Sequence, residues 1–189
     1  SVTQANEAPV IKMSSPVLSR NYSEGSYSFN YTIENQRESF SAKVRTGASW
    51  ITGLSDSNGT VSFNVEENNS GNDRIGEIII EYGNVNAKFI VEQKYTSPVV
   101  ILMARQSQFD YTGGSSVVEY AIQNPRKNMK VSVSCDYSWV KIISRDGTDT
   151  SGKIYFDVAE NDGKQESRTA YLIVSYGTFN ETIAITQSN

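Results

Sequence analysis

Residues 27–33 read Tyr27-Ser28-Phe29-Asn30-Tyr31-Thr32-Ile33. Every second residue is apolar, the pattern of a β-strand with one face in a core and the other in water. Eighty-nine residues later the strand returns as Val118-Glu119-Tyr120-Ala121-Ile122. Working outward, Tyr22, Gly25, Ser26, Asn35, Arg37, Val44, Ser49 and Trp50 recur at the same offset as Tyr111, Gly114, Ser115, Asn124, Arg126, Val133, Ser138 and Trp139. The offset then rises to 93, matching Gly59, Phe63, Val65, Glu67 and Asn68 with Gly152, Phe156, Val158, Glu160 and Asn161. At 94 it matches Arg74, Ile79, Tyr82, Gly83, Asn86 and Gln93 with Arg168, Ile173, Tyr176, Gly177, Asn180 and Gln187. Both steps fall among Gly, Ser, Asp and Asn, where loops accept insertions. A unit of this length is able to fold alone, so the chain reads as a tandem duplication of one small domain.

The alternation continues through Val61-Ser62-Phe63-Asn64-Val65, Ala87-Lys88-Phe89-Ile90-Val91, Ile154-Tyr155-Phe156-Asp157-Val158 and Ile183-Ala184-Ile185. Residues 76–82 and 170–176 are more continuously apolar, as central strands are. No stretch carries a helical period, while Val, Ile, Thr, Tyr and Phe are abundant and turn residues punctuate at short intervals. The expectation is an all-β chain of two tandem immunoglobulin-like antiparallel β-sandwiches with about seven strands each. Tyr82-Gly83-Asn84 and Tyr176-Gly177-Thr178 are expected to form the last hairpin turns. The domain boundaries predicted are a flexible tether over 1–9, one sandwich over 10–95 and a second over 96–189. The connection Lys94-Tyr95-Thr96-Ser97-Pro98 has little spare length and predicts a semi-rigid tie.

The chain has no histidine and one cysteine. That removes Ser–His–Asp and Cys–His nucleophiles and leaves no zinc, haem or iron–sulfur site. An intrachain disulfide is impossible, and Cys135 reads as a small buried hydrophobe near a strand end. Net charge is −4 without a basic block, which argues against a nucleic-acid partner. No apolar run reaches the length of a membrane span. Residues 68–73 and 145–152 are rich in oxygen ligands but lack the pattern of a calcium loop, and turn chemistry explains them. Small sandwiches offer no cleft for a pair of catalytic carboxylates. A non-catalytic protein without metal or cofactor is expected.

Taken in order, Ser49-Trp50-Ile51 and Ser138-Trp139-Val140, then Asn68 and Asn161, Arg74-Ile75-Gly76 and Arg168-Thr169-Ala170, and the closing Gln93 and Gln187 resemble the BACON domain of Bacteroidetes proteins. Ala170 departs from the glycine of the usual pattern, a difference expected to touch turn geometry. The resemblance implies a non-catalytic immunoglobulin-like module at a bacterial surface, tethered as a lipoprotein through an N-terminus upstream of this sequence. It implies work as a spacer, presenter or docking module, an adhesin among them, in a glycan-utilisation setting. The partner would be a bacterial or host surface protein or a glycan, and the chain a monomer. The alternative is direct carbohydrate binding through exposed aromatics of the second domain.

Trp50 and Trp139 occupy one repeat position and read as core. Arg74 and Arg168 are expected to bond carbonyls or a carboxylate near Asn68 and Asn161. Unmatched aromatics are the better ligand-binding candidates: Tyr155 where the first copy has Ser62, Tyr171 against Glu77, Tyr137 against Ala48 and Phe179 against Val85. Strand alternation points Tyr155 and Tyr171 outward.

Overall fold

A computed structural model describes residues 7–163 and 166–189, and these divide into two compact units that meet between Thr96 and Ser97. The expected tether lies mostly outside the described residues; Glu7 and Ala8 are bonded through their carbonyls by Arg37 and Asn35.

Domain 1 contains β1 (Val10–Met13), β2 (Val17–Arg20), β3 (Gly25–Glu34), β4 (Lys43–Thr46), β5 (Ile51–Ser57), β6 (Thr60–Val65), β7 (Arg74–Tyr82) and β8 (Val85–Gln93). Domain 2 repeats them as β9 (Val99–Leu102), β10 (Gln106–Phe109), β11 (Gly114–Gln123), β12 (Val131–Cys135), β13 (Val140–Gly147), β14 (Ser151–Val158), β15 (Arg168–Tyr176) and β16 (Phe179–Gln187). The sheets of domain 1 run β1-β3-β6-β5 and β2-β8-β7-β4; those of domain 2 run β9-β11-β14-β13 and β10-β16-β15-β12. This is the immunoglobulin arrangement of two sheets in a sandwich. The described residues give eight strands per domain rather than about seven, because the first strand of each copy divides between the two sheets. In domain 1 the break falls at Pro16, which cannot donate to a ladder. The second half then runs parallel to the last strand, β2 with β8 and β10 with β16, while the other pairs are antiparallel.

The core lies between the sheets. In domain 1, Phe29, Tyr31, Val61, Phe63 and Val65 from one sheet meet Ile78, Ile80, Phe89 and Val91 from the other. Phe29 stacks on Phe89 at 3.9 Å and 4°. In domain 2, Tyr120, Ile154 and Phe156 face Leu172, Val174, Tyr176, Ile183 and Ile185. Cys135 ends β12 half-buried against this core. Gly83 and Gly177 open the last hairpins with φ of 58° and 61°, a backbone region glycine enters without strain.

The two tryptophans are half-buried at the flank of each core rather than enclosed by it. Gly76 and Ala170 are also placed differently from expectation. Both are buried in the middle of a strand, not in a turn. A Cβ on Gly76 would come within 2.8 Å of both Trp50 and Ile51. The departure at Ala170 therefore concerns how closely the tryptophan approaches the strand. Gly76→Ala is expected to destabilise domain 1 by about 1–3 kcal/mol, from overpacking against Trp50. Chemical denaturation checks this, and no loss would mean that the indole shifts freely.

Candidate functional site

The motif shared by the two copies folds into one polar clasp. Strand β7 begins with Arg74, whose guanidinium lies 4.3 Å from the Trp50 ring centroid. Its Nε donates to Gln93 Oε1 at 2.9 Å and its terminal nitrogen to the Glu66 carbonyl at 2.7 Å. Gln93 Nε2 donates in turn to the carbonyls of Tyr22, Ser23 and Glu66, each at 3.1 Å. Asn68 Nδ2 reaches the carbonyls of Asn72 and Lys94. Burial pulls the Arg74 guanidinium below its ordinary pKa, against the upward pull of the Glu66 carboxylate. Domain 2 repeats the set: Arg168 lies 4.4 Å from the Trp139 centroid and bonds Gln187 Oε1 at 2.8 Å, and Gln187 reaches Asp110, Tyr111 and Ala159. These contacts tie loops to the final strand; they expose no reactive group. Asn68 and its neighbours therefore serve turn geometry, as their composition suggested.

The same residues carry a family signature. Residues 34–94 and 130–188 each match the BACON family, described as "Putative binding domain, N-terminal". The chain belongs to the BACON family. Among curated proteins, none matches it. Among solved structures, a Bacteroides ovatus GH5 xyloglucanase in complex with a XXXG heptasaccharide is 27% identical over 49% of this chain, with a TM-score of 0.35. An endo-fucoidan hydrolase of glycoside hydrolase family 107 is 9% identical over 97% of the chain at a TM-score of 0.43. The titin z1z2 domains in complex with telethonin are 12% identical over 98% of each chain at 0.46. This BACON pair spans 30% of the fucoidan hydrolase and 19% of the xyloglucanase.

The four aromatic candidates of the second BACON domain do not share one site. Tyr137 and Tyr171, 39% and 48% exposed, meet with ring centroids 6.5 Å apart and planes tilted by 62°. Tyr137 also touches Trp139 at 6.3 Å. Arg168, Trp139, Tyr137 and Tyr171 thus form a continuous row beside the β10-β16-β15-β12 sheet. By sequence Trp139 reads as core; its contact with Tyr137 brings it into the row. In domain 1 the place of Tyr137 is held by Ala48, and an open groove of about 590 Å³ runs past Trp50, Ile75 and Glu77.

Tyr155 stands on the other sheet, on β14, 38% exposed, so the sandwich separates it from Tyr171. Val117 is its cross-strand partner and Ile143 protrudes at the β13 bulge beside it; both are exposed. A shallow groove of about 320 Å³ here includes Ser115, Ser144 and Asp157. Phe179 joins neither group. It begins β16 and packs half-buried against the core, because the hairpin turns its ring inward. Among the described residues, no three of His, Cys, Asp or Glu gather as metal ligands, and no helix is long and apolar enough to cross a membrane. Asp149 in the oxygen-rich 145–152 loop accepts from the Val131 amide at 3.1 Å, a structural use of its carboxylate.

Proposed function

We propose that the chain is a non-catalytic pair of BACON modules at a bacterial surface, in which the second module docks a protein partner and the first presents it. The observation that carries this reading is the row Arg168–Trp139–Tyr137–Tyr171. Trp, Tyr and Arg are the residues that dominate protein–protein binding energies, and here they adjoin on one edge. The 62° tilt between the two tyrosines makes a ridge rather than the flat platform that would best stack a sugar ring. The corresponding sheet of domain 1 has Glu77 where domain 2 has Tyr171, and there Glu77 pairs with Lys88 and Glu81 with Arg45, as suits a face that stays in water. An extracellular or outer-membrane site, with lipoprotein tethering upstream, fits this work.

Direct carbohydrate binding is the second reading, and Tyr155 favours it. Its exposed ring lies beside two serines and Asp157, a stacking face with hydrogen-bonding groups around it.

Arrays of bacterial and host surface proteins and of glycans, probed with the intact chain, separate the two. Docking predicts a protein ligand whose affinity falls roughly 30-fold in Tyr171→Ala and does not move in Tyr155→Ala. A glycan ligand lost only in Tyr155→Ala would replace the first reading with the second. A protein ligand indifferent to both Tyr137→Ala and Tyr171→Ala would sink it.

A further inference from the structure

Two places stand open in domain 1 where domain 2 is filled. The first is one end of the sandwich. There Thr148-Asp149-Thr150 of domain 2 folds back over its own domain: the Ile122 amide donates to the Thr150 carbonyl at 2.7 Å and the Val131 amide to the Asp149 carboxylate at 3.1 Å. Domain 1 turns through Asn58 and Gly59 alone, between the paired Ser57 and Thr60, and leaves a cavity of about 770 Å³. Arg37, Glu38, Phe40 and Tyr82 are among its lining residues. Both signs of charge and an aromatic ring meet there, so that lining selects no one class of ligand.

The second place is the groove of about 590 Å³ beside Trp50. It runs over Gly76, where a Cβ would come within 2.8 Å of Trp50 and 3.0 Å of Ala48. Trp50, Ile75 and Ile79 make it apolar. Ile75 is 68% exposed, an apolar side chain left in water at the side of a concavity.

Domain 2 shows what covers such a surface. Tyr137 stands where domain 1 has Ala48, and its ring meets the Trp139 ring at 6.3 Å and 65°. It also meets Tyr171, the counterpart of Glu77, at 6.5 Å. The chain itself thus supplies an aromatic plug. The wall changes with the plug: Thr169 stands where domain 1 has the exposed Ile75. Where the plug is present the wall is polar, and where it is missing the wall is apolar and bare. An arginine holds the indole in both copies, at 4.3 and 4.4 Å, so the tryptophan is presented in the same way.

Charge narrows the occupant further. Arg45 and Glu77 are the charged residues of the lining, are opposite in sign, and pair with Glu81 and Lys88 at 2.8 Å each. No net charge remains to favour an ionic ligand over a neutral ring.

We propose that this groove of domain 1 takes up an aromatic side chain, tyrosine above all, presented by a protein partner, in the place that Tyr137 fills in domain 2. The incoming ring meets Trp50 edge to face, as Tyr137 meets Trp139, and removes Ile75 and Ile79 from water. The site is separate from the ridge of domain 2 and does not depend on it.

The test is two-dimensional NMR of the intact chain titrated with N-acetyl-tyrosinamide, with N-acetyl-leucinamide and xylotriose in parallel. The tyrosine probe should shift the Ala48 and Ile75 amides and the Trp50 indole saturably, with a Kd on the order of 1 mM, as a ligand of that size allows. The leucine probe and the sugar should bind roughly fivefold more weakly, for want of the ring contact. Ala48→Tyr plugs the groove from within and should abolish the response. Ile75→Thr, the residue of domain 2, should weaken it roughly threefold. Urea denaturation shows whether each variant is folded, and Ile75→Thr, at an exposed position, keeps the test decisive if the larger residue unfolds the domain. The Tyr137→Ala/Tyr171→Ala double variant should respond unchanged, so loss of the docking ridge and loss of this site are read independently. No saturable shift at Ala48 and Ile75, a full response in both groove variants, or leucine or xylotriose binding as tightly as tyrosine overturns the proposal.

Discussion

Gln93→Ala is expected to destabilise domain 1 by about 3 kcal/mol, lowering its Tm by roughly 12 °C or more. Gln93 is 1% exposed and makes four hydrogen bonds, one from a guanidinium and three to carbonyls of two different loops. Alanine leaves all of these groups short of a partner where water reaches them poorly, and the loss of such a network exceeds the net value of any single bond. Exposed ion pairs are a poor competitor for this role. Lys12–Glu34 and Arg45–Glu81 are each more than a third exposed on both sides, and pairs of that kind contribute about 0.2–1 kcal/mol. Glu81→Gln should accordingly change stability by less than about 0.5 kcal/mol. Gln93→Glu keeps the acceptor for Arg74 but loses the donor to the loops, so it should not rescue. Domain 2 keeps its own Gln187 and should melt as before. Calorimetry that resolves the two transitions checks the claim, and a loss below about 1 kcal/mol would show that the clasp is decoration.

The second large effect is expected at the buried tyrosines. Tyr176 is fully buried; its hydroxyl accepts from the Arg126 amide at 2.8 Å and donates to the Arg126 carbonyl at 3.0 Å. Tyr176→Phe keeps the ring and removes both bonds, a loss of about 2 kcal/mol. Tyr82 makes the same two bonds to Arg37, at 2.8 and 2.9 Å, but lines the open cavity of domain 1. Water can take the place of the missing hydroxyl there, so Tyr82→Phe should lose only about 1 kcal/mol. Urea denaturation of the two variants makes the comparison. Equal losses would mean that the end of domain 1 is as closed as that of domain 2.

Much of the fold was legible. Alternation in residues 27–33 and 118–122 marked strands because a pleated strand sends successive side chains to opposite faces. The same rule placed Tyr155 and Tyr171 on the outside, where they are. It did not say that β14 and β15 belong to opposite sheets, so it could not tell that Tyr171 meets Tyr137 while Tyr155 stands apart. Phe179 shares its face with Ile183 and Ile185, so the same alternation already turns it toward the core, where it packs; the mismatch with Val85 alone made it a candidate. Phe40 against Met129 is a mismatch of the same kind as Tyr155 against Ser62. The four-residue step in offset marks a tolerated loop; whether it lies outward or folds over the end of the domain is not written in its composition.

The sequence alone determined the duplication, the all-β class and the recurring Trp, Asn, Arg and Gln, since these depend on local periodicity and on comparison within one chain. The tertiary structure alone decided that those four residue types make one clasp, which tyrosines share an edge, and that domain 1 is open where domain 2 is filled. Each of these depends on which strands are neighbours and how a hairpin folds back. Those relations are set by contacts between residues distant in the chain, and no local pattern encodes them.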